Sequence, residues 1–393
     1  MRYLTTILFV SCSAFSASGP VTDVPEMTPP ARYALDHHGQ RPVPVITAPG
    51  HCAWPNLQVL ADGHTLAALI FNDGSHGHHP GDIECWLSED GGATWKLESA
   101  VTQHEPQTIR MNHAAGLARN GDLIVLTSGW SDRYPANMPH TRGKFRYETL
   151  DPWVSRSPDG GQSWWVQKDS VPRTPVGMPG TPFGNLAIAQ NGDLCVAVYC
   201  TNGSWEKYED RKFRSFLYRS KDDGKTWGEP AVIGPDSNET TILHLGGGRW
   251  LACARIGTGV ERKDQLTLCT SMDDGRSWTV KRTMTGYQRV TGNLLKLRDG
   301  RVVFSYGERW SANGKKGLEA MISADSGETW SAPIRLADWN GMDGGYPSSV
   351  QRADGQVVTA YYSSALDGDP PDSWKNYHLA VMAWDPDQSF PKQ

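Results

Sequence analysis

One octapeptide recurs five times along the chain: SEDGGATW from Ser88, SPDGGQSW from Ser157, SKDDGKTW from Ser220, SMDDGRSW from Ser271 and SADSGETW from Ser323. The shared pattern, Ser-x-Asp-x-Gly-x-Ser/Thr-Trp, has the chemistry of a turn. Asp and Ser side chains bond turn amides, Gly accepts a positive φ, and Trp packs the turn onto a sheet. Each copy therefore predicts a hairpin between two strands. Ahead of each copy an apolar run ends in a turn pair, at Asp62-Gly63, Asn120-Gly121, Asn191-Gly192, Gly247-Gly248 and Asp299-Gly300, with a sixth at Asp354-Gly355. Such pairs are favoured in two-residue hairpins. Six four-stranded units with almost no helical periodicity predict an all-β chain folded as a six-bladed β-propeller over residues 42–393. The run PVPVIT, Pro42 to Thr47, is expected to supply the outer strand of the last blade and close the ring.

The 393 residues carry a formal charge of −5 with Lys and Arg scattered, so no basic footprint for nucleic acid exists. No apolar run reaches the roughly 20 residues of a membrane-spanning helix. The opening MRYLTTILFVSCSAFSASG reads as a signal peptide over residues 1–18, with an alternative lipoprotein signal at Cys12, followed by an extension over 19–41. That predicts a secreted or periplasmic protein. Six cysteines remain beyond the leader. Cys52 with Cys85, or Cys253 with Cys269, are conceivable bridges, but a chain of this size needs no staples and buried thiols are expected. Asn202 and Asn238 fit the glycosylation pattern, and a glycan on Asn238 would crowd Glu239.

The turn pairs and octapeptides must share one face of a propeller, so the remaining loops share the other, where function is expected. That second face collects Tyr346 behind a Gly344-Gly345 pair, which is expected to clear space at the channel rim. It also collects the HGHH loop with His76, His78 and His79, and the Arg110 and His113 of IRMNH. Trp130 and Trp310 are candidates for stacking on a sugar. The histidines lack the fixed spacing and partner motif of a metal site, so no metal and no cofactor are expected.

With these residues in view, the chain resembles the sialidase (neuraminidase) superfamily, whose six-bladed propellers carry such Asp-box repeats. The segment with Glu239 ahead of GGRWLACAR and Arg255 resembles the one in which a glutamate polarises the nucleophile and an arginine binds the substrate carboxylate. GGYPSSVQRADG resembles the segment bearing the tyrosine nucleophile, here Tyr346. A phenol is a poor nucleophile at its ordinary pKa near 10 and needs an adjacent base. Sialidases are the tyrosine-nucleophile exception among glycosidases. The first-blade arginine of the family falls on Ala53 in CAWP, so one carboxylate-binding arginine is missing; Arg309, Lys315 or Lys316 is expected to supply another. The acid/base is expected in the first long loop, with Asp73 and His79 as catalytic candidates among Asp82, His76 and His78. His76, Arg110 and His113 are further expected substrate contacts.

The resemblance implies a retaining exo-glycosidase that removes a terminal, acidic sugar from a glycan. Two other readings stand beside it: a propeller lyase or histidine-dependent hydrolase acting on uronate-containing glycans, and a non-catalytic glycan-binding propeller.

Overall fold

A computed structural model describes Pro30 and residues 32–136, 145–202, 212–257, 263–309, 316–370 and 373–390. The signal peptide, Cys12, Trp310 and Lys315 lie outside the described residues, as does the side chain of Asn202.

The chain enters through β1 (Val45–Pro49) and then builds the blades in order. Blade one is β2 (Cys52–Val59), β3 (Leu66–Phe71), β4 (Ile83–Ser88) and β5 (Lys96–Ala100). Blade two is β6 (Thr108–Leu117), β7 (Leu123–Ser131), β8 (Trp153–Ser157) and β9 (Trp165–Gln167). Blade three is β10 (Thr181–Ile188), β11 (Leu194–Asn202), β12 (Lys212–Ser220) and β13 (Gly228–Pro235). Blade four is β14 (Ser237–Gly246), β15 (Arg249–Ile256), β16 (Gln265–Ser271) and β17 (Thr279–Thr283). Blade five is β18 (Arg289–Lys296), β19 (Val302–Glu308), β20 (Lys316–Ser323) and the first part of β21 (Ile334–Gln351). The rest of β21 opens blade six, which continues through β22 (Val357–Ala365) and β23 (His378–Trp384).

Within each blade the strands pair antiparallel with their sequence neighbours. The innermost strands β2, β6, β10, β14, β18 and the second part of β21 each touch the next, and β21 touches β2, so the six blades form a closed ring. β1 pairs antiparallel with β23, Val45 opposite Val381, and supplies the fourth strand of blade six. The protein is thus a six-bladed β-propeller whose ring is closed by its own N-terminal strand.

All five octapeptides lie between the third and fourth strands of their blades and share one bonding scheme. In the first copy, Ser88 Oγ donates to Asp90 Oδ1 (2.9 Å) and accepts from the Gly92 amide (2.8 Å), while the Thr94 amide donates to Asp90 Oδ1 (2.8 Å). The scheme repeats around Asp159, Asp222, Asp273 and Asp325. The six described cysteines are all free and buried. Cys253 lies opposite Leu268 and Cys269 opposite Ala252, so those two thiols point to opposite sides of the sheet.

Candidate active site

The loops between second and third strands, and those joining blades, surround a cavity of about 630 Å³ on the face opposite the octapeptides. Glu239 stands near the start of β14, where the pairing with β15 shifts register between Ser237 and Thr240. Arg255 stands near the end of β15, and both side chains line the cavity. Tyr346 comes from the other side of the ring, in a bulge of β21 where the register shifts between Gly345 and Ser348 and its own φ is 57°.

These three side chains meet. The Tyr346 hydroxyl donates to Glu239 Oε1 at 2.8 Å, and Arg255 Nη1 donates to Glu239 Oε2 at 2.6 Å and to the Tyr346 oxygen at 2.9 Å. Arg255 Nε also donates to Asp264 Oδ1 at 2.9 Å. Burial and the Glu239 carboxylate push the Tyr346 phenol above its ordinary pKa, against the pull of Arg255 and Arg309. The phenol is therefore neutral at physiological pH, with a carboxylate poised to take its proton. Burial works against the charge of Arg255, but Glu239, Tyr346 and Asp264 outweigh it and hold the guanidinium protonated.

The glycine pair ahead of Tyr346 makes room for protein rather than for a ligand. A Cβ on Gly344 would lie 2.9 Å from the Trp339 ring and from the Tyr362 carbonyl; one on Gly345 would lie 3.1 Å from Gly307 Cα, and Gly345 has φ 91°. The bulge that aims the phenol is built on this close backbone packing.

A second network lies behind the first. Arg309 Nη2 pairs with Asp343 Oδ1 at 2.5 Å, and Asp343 Oδ2 accepts from the hydroxyls of Tyr362 (3.0 Å) and Tyr377 (3.2 Å). His76 Nε2 is 4.0 Å from the same carboxylate oxygen, and its ring stacks on Tyr377. Burial favours the neutral Asp343, yet Arg309, His76 and the two phenols reverse that and hold it below the usual carboxylate range. Burial lowers the His76 imidazole to about 4, with Asp343 opposing, so it is neutral at pH 7.

The sequence profile of the family described as "BNR repeat-like domain" matches residues 45–359. The chain belongs to that family. A comparison with curated protein sequences finds no match. Among solved structures, a Dyadobacter fermentans protein of unknown function superposes with a TM-score of 0.70 at 22% identity, over 88% of this chain and 98% of that one. The Hadza microbial sialidase Hz136 gives 0.63 at 18% identity, over 84% of this chain and 65% of that one. The NanB sialidase from Streptococcus pneumoniae gives 0.64 at 13% identity, over 87% of this chain and 70% of that one. These likenesses show a sialidase-like fold.

In this divergent BNR-repeat propeller the remaining expected site residues are distributed unevenly. Ala53 is fully buried, and with Trp54 it takes up two successive left-handed conformations, φ 61° and 56°. A bulky residue there is strained. The swing lays the Trp54 ring against Tyr346 (5.9 Å between centroids), His76 (5.6 Å) and Trp130 (6.2 Å), filling with indole the neighbourhood of Ala53, where the resemblance leads one to expect an arginine. His76 and His78 line the cavity; Asp73 and His79 do not. The Asp73 carboxylate caps its own loop, accepting from the amides of Ser75 (3.0 Å), Gly77 (3.2 Å) and His79 (3.4 Å) and from the Ser75 hydroxyl. The His79 side chain is turned to solvent. Asp82 accepts from the Thr102 hydroxyl at 2.8 Å and bonds His104, away from the cavity wall.

Arg110 is buried, donates to the Asp151 carbonyl at 2.9 Å and lies 3.4 Å over the Trp153 ring, and burial lowers it to about 10. His113 is buried, with its ring nitrogens facing the carbonyls of Met111 (3.3 Å) and Leu69 (3.2 Å), and burial lowers it to about 4. Lys316 bonds the Gly341 carbonyl. These three positions support the propeller instead of facing the cavity. The Asn238 side chain is buried at the cavity wall beside Glu239. Among the described residues no cluster of His, Cys, Asp and Glu is arranged to hold a metal. The wall also includes Arg146, Tyr199 and Trp374, none of which a local motif marks. Arg146 lies 4.2 Å over the Trp130 ring and donates to the His76 carbonyl at 3.1 Å. Asp343 was within reach of sequence reading, because it immediately precedes GGYP.

Proposed function

We propose that the protein is an exported, sialidase-like retaining exo-glycosidase that removes a terminal acidic sugar from a glycan. The observation that carries this reading is the 2.8 Å hydrogen bond from the Tyr346 hydroxyl to Glu239, with Arg255 bonded to both at the cavity wall. In the first step the Tyr346 oxygen attacks the anomeric carbon while its proton passes to Glu239. The bond to the leaving sugar breaks, and that oxygen takes a proton from an acid. His76 is the acid/base on the cavity wall, with Asp343 behind it, whereas Asp73 is committed to its own loop. Neutral in the free protein, the His76 imidazole takes a proton from solvent as the acidic sugar binds, because the added carboxylate stabilises the imidazolium, and that is the proton the leaving oxygen receives. In the second step a water attacks the anomeric carbon and gives its proton to His76, and the Tyr346 oxygen leaves with the proton held on Glu239. Glu239 beside the phenol supplies the base that a tyrosine nucleophile requires, and the wall of Trp54, Trp130 and Tyr199 suits the apolar face of a sugar.

The first test is trapping. A 2-deoxy-2-fluoro or 3-fluoro glycosyl fluoride of an acidic sugar is expected to add a mass to the wild-type protein that peptide mapping places on Tyr346. Tyr346→Phe should remain folded, take no label and lose at least ~10³-fold in turnover. Turnover that survives in Tyr346→Phe, or an unsaturated product, would replace this reading with a lyase or histidine-dependent hydrolase. Glycan binding without turnover in the wild type would leave a binding module.

A further inference from the structure

Among the described residues three tryptophans line the cavity, in two different states. Trp54 and Trp130 are 8% and 6% exposed, whereas Trp374, on the wall of the same cavity, is 52% exposed. A wall residue half in water stands at the mouth. Trp374 lies in the loop between β22 and β23, and the backbone on both sides of it is pinned. The Ser373 carbonyl accepts from Ser364 Oγ (2.9 Å) and from the Met342 amide (3.3 Å), and the Asn376 amide donates to the Ser364 carbonyl (3.1 Å). Asp369 ties the loop further, accepting from the Leu366 amide (2.7 Å) and from Asn376 Nδ2 (2.8 Å). Met342, held to this loop, is itself 46% exposed. Fixed backbone thus holds one large apolar side chain, Trp374, half in water on the wall of a cavity that Glu239 and Arg255 also line.

An aromatic side chain on a pocket wall is placed to contact what the pocket binds. The path of a substrate says what would cover this one. Tyr346 is not itself on the wall of this cavity but is bonded to Glu239 and Arg255, which are. A sugar whose anomeric carbon approaches the Tyr346 oxygen therefore sits against those two residues, and whatever is bonded to it must lead out past the mouth. The space of about 630 Å³ is in the middle of the ~300–1,000 Å³ range of ligand pockets and accommodates more than one ring. A pyranose presents a face of C–H bonds with hydroxyls around its edge, and an indole face attracts that face through dispersion and its π electrons. We infer that Trp374 is the platform for the leaving-group sugar, so that the natural substrate is a linked glycan rather than a simple glycoside. This inference rests on the glycosidase reading above.

The experiment compares the same terminal sugar on two leaving groups, sialyllactose against sialyl fluoride, with a uronate-capped disaccharide and the matching glycosyl fluoride as the second pair. Trp374→Ala should lower kcat/KM on the disaccharide-linked substrate roughly tenfold, the scale of one ring stacked on an aromatic side chain. On the fluoride it should change less than about twofold, and Trp374→Phe should recover most of the loss. Equal loss on both leaving groups, or loss on neither, would overturn the platform while leaving the glycosidase reading standing. Failure of the wild type to hydrolyse any of the four would instead sink the glycosidase reading. Calorimetric titration of wild type and Trp374→Ala with the two glycans and their free terminal sugars then decides the platform separately. A gain in affinity from the second ring that Trp374→Ala abolishes supports it, and no such gain ends it.

Discussion

Two sets of carboxylates, one on each face of the propeller, are used in opposite ways. On the octapeptide face the aspartate at the third position of each repeat serves its own turn: Asp325 bonds Ser323 and Thr329, two and four residues away, and Asp90 does the same with Ser88 and Thr94. On the cavity face Glu239 reaches Tyr346, 107 residues distant, and Asp343 reaches Arg309, Tyr362 and Tyr377 on three different segments. A local turn can form before the ring closes, and its loss is confined to one hairpin. A long-range network exists only when blades one, four, five and six are in place, so its members are coupled to the whole.

The largest stability effect expected from this contrast is at Asp343. Asp343→Asn removes the charge that balances Arg309 and should cost about 3 kcal/mol, because a guanidinium left without its partner in a largely buried site is poorly solvated. The double variant with Arg309→Met should recover part of that loss, a coupling that denaturant titration of the four proteins would read. A single-variant cost no greater than that of an octapeptide aspartate would erase the distinction between the faces.

A comparable effect, spread over two titrating groups, is expected from pH. Burial holds the His76 and His113 imidazoles down at about 4 in the folded protein, while the unfolded chain takes up the proton near the ordinary 6.5. The unfolded state therefore binds more protons between those values. The stability from neutral histidines is fully present above about pH 6.5 and is lost as pH falls toward 4, by at most roughly 3 kcal/mol for each. Hydrogen bonds within the turns lower Asp90 and Asp159 to about 2, so their contribution persists to lower pH and is lost as pH falls below about 4. Melting temperatures measured from pH 7 to pH 3 should show the first decline, and His113→Gln should make it shallower. An unchanged slope in that variant would show that His113 is not the titrating group.

The smallest effect belongs to a single turn. Asp159→Asn keeps the shape and most of the amide contacts at an exposed position, and its melting temperature should fall by about 1–2 °C, with activity unchanged. A drop comparable to that of Asp343→Asn would mean that the turns, too, are wired to the whole ring.

This contrast also explains what could be read before the fold was seen. Ser, Asp, Gly, Thr and Trp within eight positions carry both partners of every hydrogen bond in the turn, so their recurrence revealed the hairpins, the blade count and the ring. Glu239, Arg255 and Tyr346 were legible too, through their resemblance to sialidase segments, and the structure brings those three together. By itself, then, the sequence determined the six-bladed architecture, the face that carries the cavity and the three residues that meet beside it. The tertiary structure decided how the other polar residues are used. Asp73 and His76 lie three apart in one loop, yet the first caps that loop and the second faces the cavity, a division set by backbone direction. Arg309 looked like a free cation for a substrate carboxylate until ring closure set Asp343 against it. The glycines before Tyr346 looked like clearance for a ligand, whereas they admit Gly307 and Trp339 from blade five. In each case the deciding partner lies on another segment. Only the packing of blade against blade fixes which charge is neutralised, which side chain is buried and which is left facing the cavity.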